Sequence, residues 1–159
     1  MHNTQQEVLR LLTQRGKSFS AAESCTGGLI AKMFTDLPGA SRAFVGGVVS
    51  YTNGVKHRVL GVPEEVLERC GAVSEPVAEA MARGVRHITG SDYAVSVTGL
   101  AGPEGDDRGN PVGTVFIGLA ACDGTEVVRL QLSGDREAVR QQAAEHAFAL
   151  LWRHLTENQ

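Results

Sequence analysis

Aromatic side chains are scarce in this chain, at 5% of its 159 residues. Proteins that bind single-stranded nucleic acids stack bases on aromatic platforms, so this composition disfavours that class. Basic residues are also few: the chain has 15 lysines and arginines and 18 acidic residues, which gives a formal net charge of −3. Domains that bind nucleic-acid duplexes normally carry a basic excess. We therefore expect no nucleic-acid partner.

Long apolar runs and paired cysteines are missing as well. The longest charge-free apolar stretch, residues 111–122, is shorter than the roughly 20 residues that a membrane-spanning helix needs. The first residues lack the basic and apolar regions of a signal peptide. The three cysteines form no CxxC pair, which fits a reducing compartment. We expect a cytoplasmic protein with no membrane partner.

Glycine, by contrast, is abundant: the chain has 19, about 12% against a usual share of roughly 7%. Many of these glycines lie at joints between predicted strands and helices, which alternate along the chain. A tight Asp123-Gly124 turn between the last two predicted strands, 112–122 and 125–132, forces one antiparallel pair. The pattern predicts an α/β fold, a single three-layer α/β/α domain with a mixed sheet spanning residues 1–159.

The first glycine-rich joint, residues 23–28, follows the predicted strand 18–22 and precedes a predicted helix. Hydroxyl groups and free backbone N–H groups at a helix N-terminus suit an anion such as phosphate. The joint matches neither GxxxxGK[ST] nor GxGxxG. It fits a ligand site and an ordinary capped helix with a tight turn equally well.

Two later joints offer further ligand candidates. The loop at 98–113 is long and rich in glycine, and Thr98 and Gly99 at the strand end are better placed than its solvated tip. Arg136 opens the last predicted helix, where a cation is unfavourable against the helix dipole. It would either pair with an acidic neighbour or clamp a phosphate or carboxylate, and we favour the clamp.

Candidate nucleophiles near these bends are Ser24, Cys25, Ser41, Ser50 and Thr98. No GxSxG elbow is present, and the histidine spacing supports neither a metal pair nor a catalytic base. Cys25 is a rival to the hydroxyl groups, because a helix N-terminus lowers the pKa of a thiol. Small buried cysteines are nevertheless common in protein cores.

Lysine is the better candidate for a catalytic base. The chain has only three lysines, and Lys56 follows an apolar predicted strand by one turn, beside Tyr51 and Asn53. Desolvation lowers the pKa of a lysine, and a neutral amine can accept a serine proton. Tyr51 could relay a proton, and Asn53 could orient the lysine or the substrate. The alternative is a solvent-exposed lysine on a short helix.

Seven motifs follow one another along the chain: AESCTGG at 22–28, GAS at 39–41, GVVSYTNGVK at 47–56, GAVS at 71–74, GLAGP at 99–103, PVGTV at 111–115 and SGDR at 133–136. Together they resemble the motifs of the CinA C-terminal domain family. The resemblance covers residues 5–155 without a large gap. Leu100, where many members carry isoleucine, is a minor departure.

The resemblance implies an amidohydrolase that needs no metal and no cofactor. Some members convert nicotinamide mononucleotide to nicotinic acid mononucleotide and ammonia, in NAD salvage, by a Ser–Lys mechanism. Ser41, in the GAS motif, is then expected to be the nucleophile, with Lys56 as the general base and Tyr51 as its proton relay. Ser24 is the alternative nucleophile, in which case Ser41 would orient Lys56.

The resemblance also implies partners and binding residues. The substrate is expected to contact Glu23, Thr26, Gly27, Gly28, Asn53, Thr98, Gly99 and Arg136. We expect a homo-oligomer, a dimer or larger, with a small-molecule nucleotide as substrate. The alternative is a non-catalytic nucleotide-binding module or an interaction protein associated with competence and DNA damage.

Many members of the family also carry an N-terminal domain that resembles molybdopterin-binding proteins and is associated with pyrophosphatase activity on nucleotides. A chain of 159 residues leaves no room for it. We therefore expect neither that domain nor turnover of ADP-ribose.

Overall fold

The computed structural model describes residues 3–158, and within them five strands form one sheet in the order β2-β1-β3-β4-β5. The strands are β1 (Phe19–Glu23), β2 (Phe44–Val49), β3 (Tyr93–Gly99), β4 (Thr114–Ala121) and β5 (Gly124–Gln131). The helices are α1 (Thr4–Arg15), α2 (Leu29–Thr35), α3 (Asn53–Arg58), α4 (Glu64–Cys70), α5 (Glu75–Thr89) and α6 (Arg136–Glu157), with a 3₁₀ turn at Ala40–Arg42.

The sheet is mixed, as predicted. Strand β1 pairs in parallel with both β2 and β3, whereas β3, β4 and β5 pair antiparallel. Glu23, the last residue of β1, lies opposite Val49 of β2 and Val97 of β3. The carboxyl ends of the three parallel strands therefore meet at one edge of the sheet, where open α/β sheets bind ligands.

Helices cover both faces of the sheet, which confirms the α/β/α prediction. Helix α6 packs on β3 and β4 and contacts α1 and α2, and α5 packs across the opposite face of the sheet. Strand β4 is buried at every position because both layers cover it. Phe19, Phe34 and Phe148 pack in the larger core, with the rings of Phe19 and Phe34 4.7 Å apart and edge to face.

Helix boundaries follow local capping chemistry. The side chain of Asn3 accepts a hydrogen bond from the backbone N–H of Gln6, and α1 ends at Gly16 in the left-handed conformation. Asp135 caps α6 by accepting from the backbone N–H of Ala138. No helix within residues 3–158 is both long and apolar enough to cross a membrane.

Candidate functional site

A cavity of about 440 Å³ opens at the carboxyl edge of the parallel strands. Its wall is formed by the ends of β1 and β3, by α3, by the first residue of α6 and by the loop at 100–108. This volume lies within the roughly 300–1,000 Å³ typical of small-molecule sites. Polar and charged side chains from separate parts of the sequence converge on it, and Ser24 and Lys56 are among them.

Lys56 and Ser24 are in direct contact on the cavity wall. The Lys56 Nζ lies 2.9 Å from Ser24 Oγ and 2.8 Å from the backbone carbonyl oxygen of Ser50. Lys56 is only 1% exposed, although lysine is among the residues least often buried. The contact is the geometry that a nucleophile and its base require, since they must lie within hydrogen-bond reach.

Parallel strand pairing produces this contact. Because β1 and β2 run in parallel, Ser24 and Ser50 leave the sheet side by side, and the Ser50 N–H donates to the Glu23 carbonyl at 2.7 Å. The chain then enters α3, where the Thr52 side chain caps the first turn. One turn later Lys56 points back toward Ser24. Two short-range features, a strand end and a helix cap, thus place residues 32 positions apart against each other.

Burial sets the charge state of Lys56. Desolvation lowers the pKa of its amine from 10.5 to about 8. Among residues 3–158 no salt bridge involves this lysine, so no carboxylate contact restores the charged form. With this pKa roughly a tenth of Lys56 is neutral at pH 7, and that form has a lone pair that can accept the Ser24 proton.

Arg136 and Tyr51 form a second polar group at the cavity. The Arg136 guanidinium donates to the Tyr51 hydroxyl at 2.9 Å and to the Gly102 carbonyl at 2.6 Å. Both side chains line the cavity, and Tyr51 is 56% exposed. An arginine at the mouth of a cavity can hold a phosphate or carboxylate in bidentate fashion.

The sequence matches the model of the CinA C-terminal domain over residues 1–155. The chain belongs to this family. The nicotinamide-nucleotide amidohydrolase PncC of Enterobacter agglomerans is 48% identical over 159 residues, covering 99% of this chain and 97% of that protein. The competence damage-inducible protein A (ComA) of Klebsiella pneumoniae superposes with a TM-score of 0.95 at 37% identity, covering 99% of this chain and 100% of that structure.

Other relatives of this CinA C-terminal domain are much longer proteins. A CinA-like protein of Desulfotalea psychrophila is 48% identical over 153 residues, which are 96% of this chain and 37% of that protein. This chain spans about a third of the length of several curated relatives that it matches (32% to 37%).

Ser41 lies far from the cavity of this domain. It sits in the exposed 3₁₀ turn before β2, whereas Lys56 follows the end of that strand, so roughly 16 Å of strand separates the two ends. Ser41 lines a different surface groove, with Gly39 and Phe44. The predicted pairing of Ser41 with Lys56, whether as nucleophile or as orienting residue, is therefore wrong. The serine beside the lysine is Ser24.

Cys25 lines the cavity next to Ser24 but is poorly suited to be a nucleophile. Its side chain is buried, and desolvation raises the pKa of the thiol to about 11. The expected lowering by a helix N-terminus is not found, because burial outweighs the favourable charges of Arg140 and Lys56. The thiolate, which is the reactive form, is thus disfavoured at neutral pH.

Tyr51 lies in the cavity, but its hydroxyl contacts Arg136. The two hydrogen-bond partners of the Lys56 amine are Ser24 and Ser50 within the described residues. No hydrogen bond between Tyr51 and Lys56 within the described residues therefore supports the predicted proton relay. Its contact with Arg136 places it instead beside the group that would hold an anion.

Glu23 and Gly28 belong to a helix cap. The Glu23 carboxylate is buried and accepts hydrogen bonds from the backbone N–H groups of Gly28, Ile30 and Ala31 at 2.9 to 3.2 Å. These bonds satisfy the N-terminus of α2, which would otherwise be open to a ligand. The carboxylate occupies that end, and neither Glu23 nor Gly28 is among the described residues that line the cavity, so their contact with substrate stays a prediction.

Thr26 and Gly27 shape the turn behind Ser24 and are not among the described residues that line the cavity. Thr26 is fully buried, and its Oγ1 has no hydrogen-bond partner among residues 3–158. Gly27 has a φ of +60°, and a Cβ there would lie 3.3 Å from the Arg140 guanidinium. Contact of these two residues with substrate therefore stays a prediction that the cavity lining does not support.

Asn53, Thr98 and Gly99 line the cavity, and their contact with substrate stays a prediction. The Thr98 hydroxyl donates to the Ala72 carbonyl at 2.8 Å, so it fixes the cavity wall. A Cβ on Gly99 would lie 2.7 Å from Val115, which means that the neighbouring strand requires glycine there. Of the three residues, Asn53 therefore has the side chain that is most available to a ligand.

Several residues at the site escaped sequence reasoning. The Arg140 guanidinium donates to the carbonyls of Cys25 and Thr26 at 3.0 and 2.9 Å, and so fixes the turn after Ser24. The Ser50 carbonyl and the segment 71–73 also reach the cavity region. A lone arginine on an amphipathic helix gives no sequence signal for such a role, because its partners are backbone atoms.

Within residues 3–158 no three His, Cys, Asp or Glu side chains group as metal ligands would.

Proposed function

We propose that this chain is an amidohydrolase that converts nicotinamide mononucleotide to nicotinic acid mononucleotide and ammonia, with a place in NAD salvage. The observation that carries the proposal is the buried Lys56 amine 2.9 Å from Ser24 Oγ on a cavity wall. The full-length similarity to a nicotinamide-nucleotide amidohydrolase supports the same substrate.

In the first step, neutral Lys56 accepts the proton of the Ser24 hydroxyl. The Ser24 Oγ attacks the carboxamide carbon of the pyridinium ring, and the carbonyl oxygen becomes an oxyanion. Hydrogen-bond donors placed around such an oxygen stabilise the charge. The positive charge of the pyridinium ring makes the carbon more electrophilic.

In the second step, protonated Lys56 returns its proton to the amide nitrogen. The C–N bond breaks, ammonia leaves, and an ester joins Ser24 to the nicotinoyl carbon. Lys56, again neutral, deprotonates a water molecule that hydrolyses this ester and regenerates the serine. An amine with a pKa of about 8 suits both directions of transfer, because base and acid forms are both populated near neutral pH.

Substrate binding is assigned to the charged groups at the cavity mouth. Arg136 is the candidate for the 5′-phosphate, since its guanidinium lies on the cavity and charge-assisted hydrogen bonds to phosphate are strong. Asn53 is available for the ribose or the carboxamide. Hydroxyl, amide and guanidinium groups would hold the nucleotide, in keeping with the low aromatic content of the chain.

The test is to incubate the purified protein with nicotinamide mononucleotide and measure ammonia and nicotinic acid mononucleotide. We expect both products in equal amounts, and none above background from Lys56→Ala. Lys32→Ala is the matched control, because Lys32 is exposed and paired with Asp36 on α2. Binding of nicotinamide mononucleotide without release of ammonia would contradict the proposal and favour a nucleotide-binding module.

A further inference from the structure

The loop at 100–113, which we name the cavity loop, crosses one side of the cavity and is fixed at its base. The Leu100 N–H donates to the Thr114 carbonyl at 3.0 Å, and the Gly113 N–H donates to the Leu100 carbonyl at 2.8 Å. Arg136 adds its bond to the Gly102 carbonyl. These contacts hold both ends of the loop to the body of the domain.

The tip of the cavity loop has a separate anchor in Arg108. Its guanidinium donates to the backbone carbonyl of Arg69 at 2.8 Å and also to that of Glu68. Both carbonyls belong to the last turn of α4, where carbonyl groups lack helical partners and the helix dipole attracts cations. The tip is solvent-exposed, as the sequence predicts, but it is tethered to another element of the cavity wall.

The receiving surface is shaped for this side chain. Gly71, the residue after α4, has a φ of +77°, and a Cβ there would lie 2.5 Å from Arg108 Cδ. The stem of Arg108 therefore lies directly on the backbone of Gly71, in space that any other residue would occupy. Gly71 and Arg108 both line the cavity, so their contact closes a part of its wall.

The turn that carries Arg108 is itself stiffened. The Asp106 carboxylate accepts from the backbone N–H groups of Arg108 and Asn110 at 3.0 and 2.9 Å. It also accepts from the Asn110 side chain at 2.7 Å. A tip that is held together in this way moves as a unit, so a single anchor can control its position.

We propose that Arg108 is a positioning residue that latches the tip of the cavity loop onto α4 and thereby keeps the cavity wall closed around the nucleotide. The inference rests on the proposed function for its substrate. The latch acts on binding and leaves the chemical step unchanged, because neither Ser24 nor Lys56 contacts the cavity loop through a hydrogen bond within the described residues.

Steady-state kinetics test the effect on the substrate. We expect Arg108→Ala to raise KM for nicotinamide mononucleotide about 10-fold with kcat within about 2-fold of the wild-type value, since uniform binding is lost. Arg108→Lys should recover part of the KM, because an ammonium group can still bond one carbonyl. Arg42→Ala, an exposed arginine at the amino end of β2, is the control and should leave both constants unchanged. An unchanged KM, or an equal fall in kcat and kcat/KM, would overturn the proposal.

Hydrogen exchange tests the latch without any substrate. In ligand-free protein, Arg108→Ala should exchange the amides of residues 104–110 at least about 5-fold faster than wild type, with exchange in β3 and β4 unchanged. Equal exchange in both proteins would refute the latch even if the enzyme is active. Faster exchange in a protein that releases no ammonia would leave the latch standing and remove the proposed function alone.

Discussion

Ser24 and Ser41 lie at opposite ends of the parallel pair formed by β1 and β2, and their surroundings differ in every respect that matters for chemistry. Ser24, at the carboxyl end, is buried, contacts an amine and faces a cavity. Ser41, at the amino end, is exposed in a 3₁₀ turn. The same side chain is therefore a candidate nucleophile in one place and a surface residue in the other.

The difference arises from strand direction. At the carboxyl edge three parallel strands end together, and the chain continues from each into loops and helices that enclose space. At the amino edge of β2 the chain arrives through a short turn that has solvent on one side. Side chains that can bind a ligand therefore lie together at the carboxyl edge of the parallel strands, where several loops meet.

The strongest test of this comparison exchanges the two serines for alanine. Ser24→Ala should lower kcat for nicotinamide mononucleotide by at least about 10³-fold, because the acyl-enzyme cannot form. Ser41→Ala should stay within about 2-fold of wild type, since it lies at the other end of β2. The measurement is ammonia release, with circular dichroism to check folding. Full activity in Ser24→Ala would show that the carboxyl edge is not the reaction site.

The second test concerns the base. Below pH 8 we expect kcat/KM to fall about tenfold per pH unit, because protonated Lys56 has no lone pair, and to level off above it. Lys56→Arg should lose about 10²–10⁴-fold at all pH values, because a guanidinium stays protonated. The pH profile of Lys32→Ala should match the wild type. A rate that is flat from pH 6 to 9 would contradict the role of Lys56.

A smaller effect is expected at the cavity mouth. Arg136→Ala should raise KM for nicotinamide mononucleotide about 10- to 100-fold, because the substrate loses a charge-assisted hydrogen bond to its phosphate. Turnover of nicotinamide riboside, which has no phosphate, should change by less than about 3-fold. Comparing the two substrates in one variant separates a phosphate contact from general damage to the site. An equal loss for both would rule out the phosphate assignment.

The smallest effect is expected at Cys25, the neighbour of Ser24. Cys25→Ala should keep kcat within about 3-fold of wild type, because a thiol with a pKa of about 11 is not ionised at neutral pH. Alkylation by iodoacetamide at pH 7 should modify exposed Cys122 first. If Cys25→Ala alone abolished turnover in a folded protein, the serine mechanism would be wrong.

Much of the fold could be predicted from the sequence, because its signals are local. Alternating segments and the Asp123-Gly124 turn predicted a mixed sheet between helices, and the structure has these elements within a few residues. Hydrophobic periodicity and turn chemistry each depend on neighbours in the chain. Such signals need no knowledge of which strands pair.

The candidate site could be predicted only in part. Lys56 stood out because lysines are few and this one follows an apolar strand, and the structure places it in a buried position. The capping role of Glu23 could not be predicted, because a carboxylate before two glycines can bind a ligand or cap a helix, and only the chain path shows which donors it reaches. The contact of Arg108 with α4 could not be predicted, because its partners are backbone carbonyls 39 and 40 residues away.

By itself, the sequence determined the fold class and the family resemblance, and it favoured Lys56 as the candidate base. The tertiary structure decided which serine that lysine reaches, since β1 and β2 pair in parallel with Glu23 opposite Val49. It also decided the lowered pKa of Lys56, which burial causes. The sequence specifies which side chains are present, but which of them come into contact and which are buried depends on strand pairing and packing between distant parts of the chain. The scarcity of aromatic and basic residues limited the classes of function, and strand register selected the site.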